Sequence, residues 1–506
     1  MKKILINEEP WQTRIAIVED GKLQNIYFWS HVGNTIERCF FKALVTKVLP
    51  GIQTAFVDIG QEKSGFLHIS EIDRELAINK ISENLGQLES TSKKEQNRAH
   101  HQPLDIGKIL KEGESLLVQV TKEPINEKGA KLTTCFALPG RFIVLMPSIP
   151  RIGISKKIEA PEERDRLKEL VLANIPEGMG AIIRTTTEHR TEREVKQDIK
   201  FLLNIWNGIL EKEKTAKVGE IIYQDVHLAF QVIRDHLDET VEQVIIDDKS
   251  RQKELAAYVQ EIAPEHSAKI CLYNGREQLF DRYNVEEQIR ECLNKKVDLA
   301  SGGSIIIEET EAMTVVDVNT GRYIGKTNLE DTILKTNLEA AKEVARQLKI
   351  RNVGGLIVID FIDMFSSANK QKLFKCFEKE LKEQDKFQSV LLKISEFGLV
   401  QMTRKRSGKT LGRQLTDTCS HCTGTGTVPS VQAQGYKVLR SIKQELATGK
   451  ISGSIIVKLN QAIFDYISTV EYKTLFDFEK LFNCKITLET DKTVSVAHFK
   501  VIEAAQ

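Results

Sequence analysis

Two runs constrain the fold more than anything else in the chain: Ala312-Met-Thr-Val-Val-Asp-Val-Asn-Thr-Gly321 and Gly354-Gly-Leu-Ile-Val-Ile-Asp-Phe-Ile-Asp-Met364. Each is an apolar, β-branched run that ends in a carboxylate, the pattern of a buried strand with an acid at its C-terminal edge. Asp317 and Asp360 are the two acids. Between them Leu329, Ile333, Leu334, Leu338, Ala341, Val344, Ala345 and Leu348 recur at helical spacing. Asn328 is placed to cap that helix, with Glu330 and Asp331 in its first turn, where the dipole favours negative charge. Strand, helix and strand make a crossover unit of an α/β fold, which sets the two strands side by side and can bring both carboxylates to one rim. An unpaired carboxylate near a core is costly unless it is bonded or binds a cation. A hard, oxygen-ligated ion fits, and Mg²⁺ needs only one or two carboxylates because it keeps its waters. Two acids capping nearby backbone N–H groups fit the same spacing, so the spacing leaves both readings open.

At 506 residues the chain exceeds what one core can hold, and several domains are expected. Lys+Arg 72 against Asp+Glu 71 leaves a net charge of +1, so any nucleic-acid contact must come from local clusters rather than a global field. Arg404-Lys-Arg406 with Lys409 and Arg413 is one such cluster, and from charge alone a solvated loop is the better reading. No apolar run is long enough to span a bilayer, and the first residues turn polar too soon for a signal peptide. Eight scattered cysteines with a single Cys-x-x-Cys fit a reducing cytoplasm and not a disulfide framework.

Taken in order, residues 3–29 read as antiparallel strands around the turn Glu19-Asp-Gly-Lys22. From residue 36 short alternating strands split by Gly and Pro, closing with Ser115–Lys122, carry a small β-barrel signature. Residues 77–108 interrupt it with a polar stretch, in which His100 and His101 read as a solvated pair and not as metal ligands. Strands then lead to Gly178–Thr185, which ends in Arg184 and Thr185, with a helix expected from Thr191. A guanidinium fork beside a hydroxyl can clamp a terminal phosphate, and an ordinary strand-end ion pair is the alternative. Lys156 and Lys157 are expected on the same surface. Residues 220–293 alternate helix and strand, and Asp247 with Asp248 at a strand end make a second metal site conceivable.

Cys419-Ser-His-Cys422 has the spacing of a zinc knuckle, with His421 expected to point away. A structural zinc wants four ligands, and the chain holds no second such pair. Two chains could each donate two thiolates to one shared ion. A redox dithiol is the competing reading, but it belongs at a helix start in a thioredoxin-like context, which the sequence does not announce.

The order and spacing of Asp317-Val-Asn319, Gly354-Gly-Leu-Ile-Val-Ile-Asp360-Phe-Ile-Asp-Met and Cys419-Ser-His-Cys422-Thr-Gly-Thr-Gly426 resemble the ribonuclease E/G family across the whole chain. The resemblance implies an α/β multidomain protein. An RNase H-like domain (1–35 and 220–293) is interrupted by an S1-type OB-fold barrel (36–125) and a 5′ sensor (126–219). A DNase I-like catalytic domain (294–413), a zinc-link (414–428) and a small α/β oligomerisation domain (429–506) follow. By the same resemblance Asp317 and Asp360 hold catalytic Mg²⁺, Asn319 orients that shell, and Asp363 is a weaker candidate. Phe56 and Phe66 stack RNA bases with Lys122 as a basic contact; without the resemblance Phe56 would read as core. Arg184 and Thr185 sense a 5′-monophosphate, and Cys419 and Cys422 share Zn²⁺ between two chains of a homodimer, or of a homotetramer. From their place after Asn319, Gly321 and Arg322 are expected to approach the phosphate backbone. The chain departs from the family pattern at Ala43, where glycine is usual, and at Glu396, where arginine is common in one form. No long disordered arm is expected, so the chain resembles either the short form of the family or the isolated catalytic half of the long form. The implied function is Mg²⁺-dependent endoribonuclease action on single-stranded RNA, in ribosomal RNA processing and messenger decay. A non-catalytic RNA-binding scaffold and a metal-dependent DNA nuclease are the alternatives.

Overall fold

The computed structural model describes residues 1–31, 36–73, 77, 105–124, 129–321, 329–385, 387–395, 398–406, 408–448, 454–491 and 499–503. The chain divides into two compact units, Met1–Gly408 and Lys409–Gln506.

In the first unit, strands Lys2–Glu9, Gln12–Glu19 and Lys22–Ser30 run antiparallel, as the turn signals predict. The first of them pairs in parallel with Val241–Ile246, which pairs in parallel with Ile270–Leu272. The chain therefore leaves this five-stranded sheet after residue 30 and returns to it more than two hundred residues later. Ile4, Ile6, Ile15 and Ile17 meet Val232 and Ile233 of the Leu228–His236 helix and Leu255 and Val259 of the Lys249–Ile262 helix in one apolar core.

The intervening chain first makes a closed five-stranded barrel. Its strand order is Phe40–Leu49, Thr54–Asp58, Gly65–His68, Lys131–Thr133, Ser115–Lys122, and the last pairs back onto the first. Ala55, Val57 and Leu67 alternate into its core. Ala43 is buried and in regular register with Leu116; the register shift in that strand falls between Val45 and Lys47. A four-stranded sheet follows, with Ile143–Met146 paired to Gly180–Ile183, packed by the helices Pro161–Leu172 and Glu192–Thr215. Thr191 caps the second helix in a full capping box with Glu194.

The last sheet of this unit has the order Lys296–Asp298, Ser304–Glu309, Met313–Asn319, Gly355–Asp360, Leu399–Arg404, Ser389–Leu391. The helices Leu329–Ile350 and Ser367–Gln384 share a core with Val316, Val318, Ile357, Ile359, Val400 and Met402. The residues between these, Val315, Leu356 and Val390, are 37%, 41% and 53% exposed. One face of the sheet is therefore covered by helices and the other is open.

The second unit packs the helices Val431–Ala447, Gln461–Thr469 and Tyr472–Phe482 with a three-stranded sheet. In that sheet Ser454–Leu459 lies parallel to Lys485–Thr490 and antiparallel to Lys500–Glu503. Most of the strand expected at 494–499 lies outside the described residues. Among the described residues no helix is long and apolar enough to cross a membrane.

Candidate active site

Strand alternation decides what the open face of the last sheet carries. With Thr314, Val316 and Val318 turned to the helices, Val315, Asp317 and Asn319 must turn the other way. By the same rule Ile357 and Ile359 point in, and Leu356, Val358 and Asp360 point out. The two strands are parallel neighbours, and Asp317 is paired in register with Asp360. The crossover expected from the sequence thus sets both carboxylates side by side on the exposed face. Asn319 Nδ2 donates to Asp317 Oδ2 at 2.8 Å. Asp360 has its carboxyl pushed above the usual range, first by partial burial and then by the negative charges of Asp317 and Asp363. An acid raised by two neighbouring acids has the electrostatic form of a cation site.

The turn after Asp360 is pinned from behind. Asn337, fully buried in the Leu329–Ile350 helix, donates its Nδ2 to the Ile362 carbonyl at 2.8 Å and accepts the Ile362 N–H at 3.1 Å. Glu330 accepts from Ser366 N at 3.0 Å and from Asn369 Nδ2 at 3.3 Å. Neither residue stands out from motif spacing. The signal for Asn337 was a lone amide inside the apolar stripe, four residues from both Ile333 and Ala341. Gly354-Gly355 also has a physical reason. Gly355 has φ +103°, and a Cβ there would lie 2.7 Å from the Arg406 guanidinium, which crosses the strand start.

Arg404 is not the solvated cation that its basic run implied. It is buried, its Nε bonds Asp385 Oδ2 at 2.5 Å and its Nη1 bonds the Val353 carbonyl at 2.6 Å. Lys157 donates to the Asp385 carbonyl at 2.9 Å, which ties the preceding module to this sheet. Asn328, Arg322, Glu396, His100 and His101 lie outside the described residues.

On the barrel, Phe56 and Phe66 are direct cross-strand partners and both face outward, Phe56 at 38% exposure, which corrects the core reading of Phe56. The row extends further than the sequence indicated. Lys47 pairs with Phe56, Lys131 with Phe66, and Lys122 with Lys131. Two rings are therefore flanked by basic residues along one line across the strands, with Lys131 also paired to Glu71. Period-two alternation in each strand could have located Lys47 and Lys131 once the barrel order was known.

Arg184 is partly buried. Its Nη1 donates to the Gly140 carbonyl at 2.6 Å and to Asp235 Oδ1 at 2.8 Å. Thr185 is exposed, with its hydroxyl 3.0 Å from Ser155 Oγ. The strand-end ion pair and the Arg–Thr adjacency therefore coexist. Asp247 and Asp248 take the bland course. Asp247 accepts from Asn7 Nδ2 at 2.7 Å and from Glu8 N at 2.8 Å, and Asp248 caps a helix through Arg251 N at 2.7 Å.

Within the second unit, Cys419 immediately precedes the turn that holds Cys422, well before the helix that starts at Val431. The Cys422 thiol is pushed down, chiefly by the backbone N–H groups of Gly426 and Gly424 and then by Cys419. His421 is exposed.

These features can be set beside known proteins. The model of the Ribonuclease E/G family matches residues 137–407. Ribonuclease G of Haemophilus influenzae is 37% identical over 501 residues, covering 99% of both chains. The chain belongs to the ribonuclease E/G family. Ribonuclease G of Escherichia coli K12 is 35% identical over 500 residues, again 99% of both chains. Ribonuclease E of the same strain is 36% identical over 452 residues, which cover 88% of this chain and 40% of that protein. A second family model, described as the RNase E/G thioredoxin-like domain, matches residues 418–504. That description corrects the expectation that no thioredoxin-like context is present, although the cysteine pair does not sit at a helix start.

Proposed function

We propose that the chain is a magnesium-dependent endoribonuclease that cuts single-stranded RNA to leave 5′-phosphate and 3′-hydroxyl ends. The observation that carries this reading is the in-register pair Asp317–Asp360 on an open sheet face. The donor set fits the ion: hard carboxylate oxygens, solvent access for retained waters, and a third acid, Asp363, close enough to raise Asp360. When bound there, magnesium neutralises charge on the scissile phosphate and makes water a stronger acid. Asn319 fixes the Asp317 carboxylate through its 2.8 Å bond, and Asn337 fixes the backbone that follows Asp360. Val315, Leu356 and Val390 give the same face an apolar floor.

The barrel is read as an S1-type OB-fold, in which Phe56 and Phe66 stack bases and Lys47, Lys122 and Lys131 track the backbone. Arg184 and Thr185 favour a 5′-monophosphate, with Asp235 orienting the guanidinium. Cys419 and Cys422 supply half of a tetrahedral zinc site that a second copy completes, giving a dimer and then a tetramer. The curated relatives are named ribonucleases, and ribosomal RNA processing and messenger decay are the tasks this reading assigns. Among the described residues, which include all eight cysteines, none is in a disulfide, in keeping with the cytoplasm.

The test is cleavage of a short 5′-monophosphorylated single-stranded RNA in Mg²⁺ by wild type and by Asp317→Asn. Internal cuts by wild type that vanish in the variant are expected. Tight RNA binding without cuts would favour the scaffold reading, equal cutting of the DNA analogue would favour a DNA nuclease, and equal cutting by both proteins would move the active site elsewhere.

A further inference from the structure

A second cluster of ligand-type side chains lies in the five-stranded sheet built from the N-terminus, and the nuclease reaction makes no use of it. The buried Thr13 hydroxyl is 3.0 Å from Glu8 Oε1, 3.3 Å from His31 Nε2 and 3.2 Å from His227 Nε2. His31 Nε2 is 3.5 Å from the same Glu8 oxygen. The donor atoms of Glu8, His31 and His227 all lie within 4.8 Å of one another. A tetrahedral zinc with bonds of about 2.0 Å keeps its ligand atoms about 3.3 Å apart. The four distances scatter around that edge length.

We propose that Glu8, His31 and His227 bind a zinc ion, with Thr13 Oγ1 at the fourth corner. Two imidazoles and one carboxylate form a zinc donor set, and magnesium would not select it. Glu8 Oε2 is buried and has no hydrogen-bond partner among the described residues, so the carboxylate has acceptor capacity left over. The His227 ring would ligate in its neutral form. Its Nδ1 accepts the Ala229 N–H at 3.3 Å, and this long bond is the one given up when Nε2 takes the metal and the proton moves to Nδ1. Arg251 Nη2, 3.3 Å from Glu8 Oε1, steadies the carboxylate from outside the ligand set and weakens the site by its charge.

The ligands come from both visits of the chain to this sheet. Glu8 lies on the first strand, His31 follows the third, and His227, 214 residues beyond Thr13, caps the helix that packs beneath them. The ion would clip the N-terminal strands to the segment that completes their module.

The experiment loads the full-length protein with zinc, removes free metal, and measures zinc per chain for wild type, His31→Ala and His227→Ala. Both variants are expected to hold about one zinc per chain less than wild type on the single-site count. The readout is a difference, so the zinc held at Cys419 and Cys422 cancels, and failure of that shared site leaves the result intact. His31 is 30% exposed, so His31→Ala tests the site without opening a core. Zinc should raise the Tm of wild type and not of His31→Ala. With Co²⁺ in place of zinc, the absorption lost on His31→Ala should be ligand-field bands without thiolate charge transfer. Equal zinc in all three proteins, with equal Tm responses, would overturn the proposal and leave the cluster as a hydrogen-bond hub centred on Thr13.

Discussion

Two sheets of the larger unit end strands in acids, and the acids meet opposite fates. In the sheet begun at the N-terminus, Asp247 is met by donors: the Asn7 amide and the Glu8 N–H take its two oxygens. In the sheet of the two signature runs, Asp360 is met by acceptors: Asp317 beside it in register and Asp363 three residues on. A carboxylate at a strand end therefore says little about chemistry by itself. What surrounds it decides: donors satisfy the one carboxylate, and the acids beside the other are what the proposed cation would offset.

The largest effect that could break this contrast is on catalysis. Asp317→Asn and Asp360→Asn should each lower RNA cleavage by about a thousandfold, the scale of losing several kcal/mol of metal-assisted stabilisation. Neither should lower Tm, since each relieves repulsion; a large fall in Tm with activity retained would reverse the assignment. Asn337→Ala, which frees the turn behind Asp360, should raise the Mg²⁺ concentration needed for half-maximal cleavage by roughly 10–100-fold. An unchanged Mg²⁺ titration would limit Asn337 to packing. Asp247→Ala should do the opposite of the first pair. It should leave the cleavage rate alone and lower unfolding free energy in urea by about 1–3 kcal/mol, because two part-buried donors lose their acceptor. The smallest effect is in pH. Burial, the leading cause, raises the Asp247 carboxyl, so the folded state holds its proton at a pH where the unfolded chain has lost it. Ionisation then removes stability as pH rises past the ordinary carboxylate range, and the penalty of Asp247→Ala should grow as pH falls from neutral towards it. A penalty that shrinks instead would mean that the donors outweigh burial.

Legibility in the sequence followed the same line. The crossover between the signature runs was readable because two continuous β-branched runs flank a helix with a clean 3.6-residue apolar period, and it brought Asp317 and Asp360 to one rim as expected. The N-cap at Thr191 was readable because its capping box is local. Asp247 was ambiguous because its partners, Asn7 and Glu8, lie 240 and 239 residues away. Arg404 misled for the same reason: a basic tripeptide reads as solvated until Asp385 and Val353 are seen to bury its first member. The row from Lys47 to Lys122 was half visible. Each strand shows which residues face outward, but the order that aligns Lys47, Phe56, Phe66, Lys131 and Lys122 depends on a barrel closure that no single strand encodes.

The pairing of Lys2–Glu9 with Val241–Ile246 also sets a schedule for synthesis. At ribosomal rates of about 5–20 residues per second, the first strand waits about 12–48 s before its parallel neighbour has been made. Until then one side of a nascent three-stranded ribbon presents unpaired N–H and C=O groups, the kind of edge on which chains aggregate. The barrel, whose strands all lie within residues 40–133, can close during that interval. The order of birth is therefore inverted relative to the order of the chain: the inserted barrel matures first, and the module that encloses it in sequence matures last.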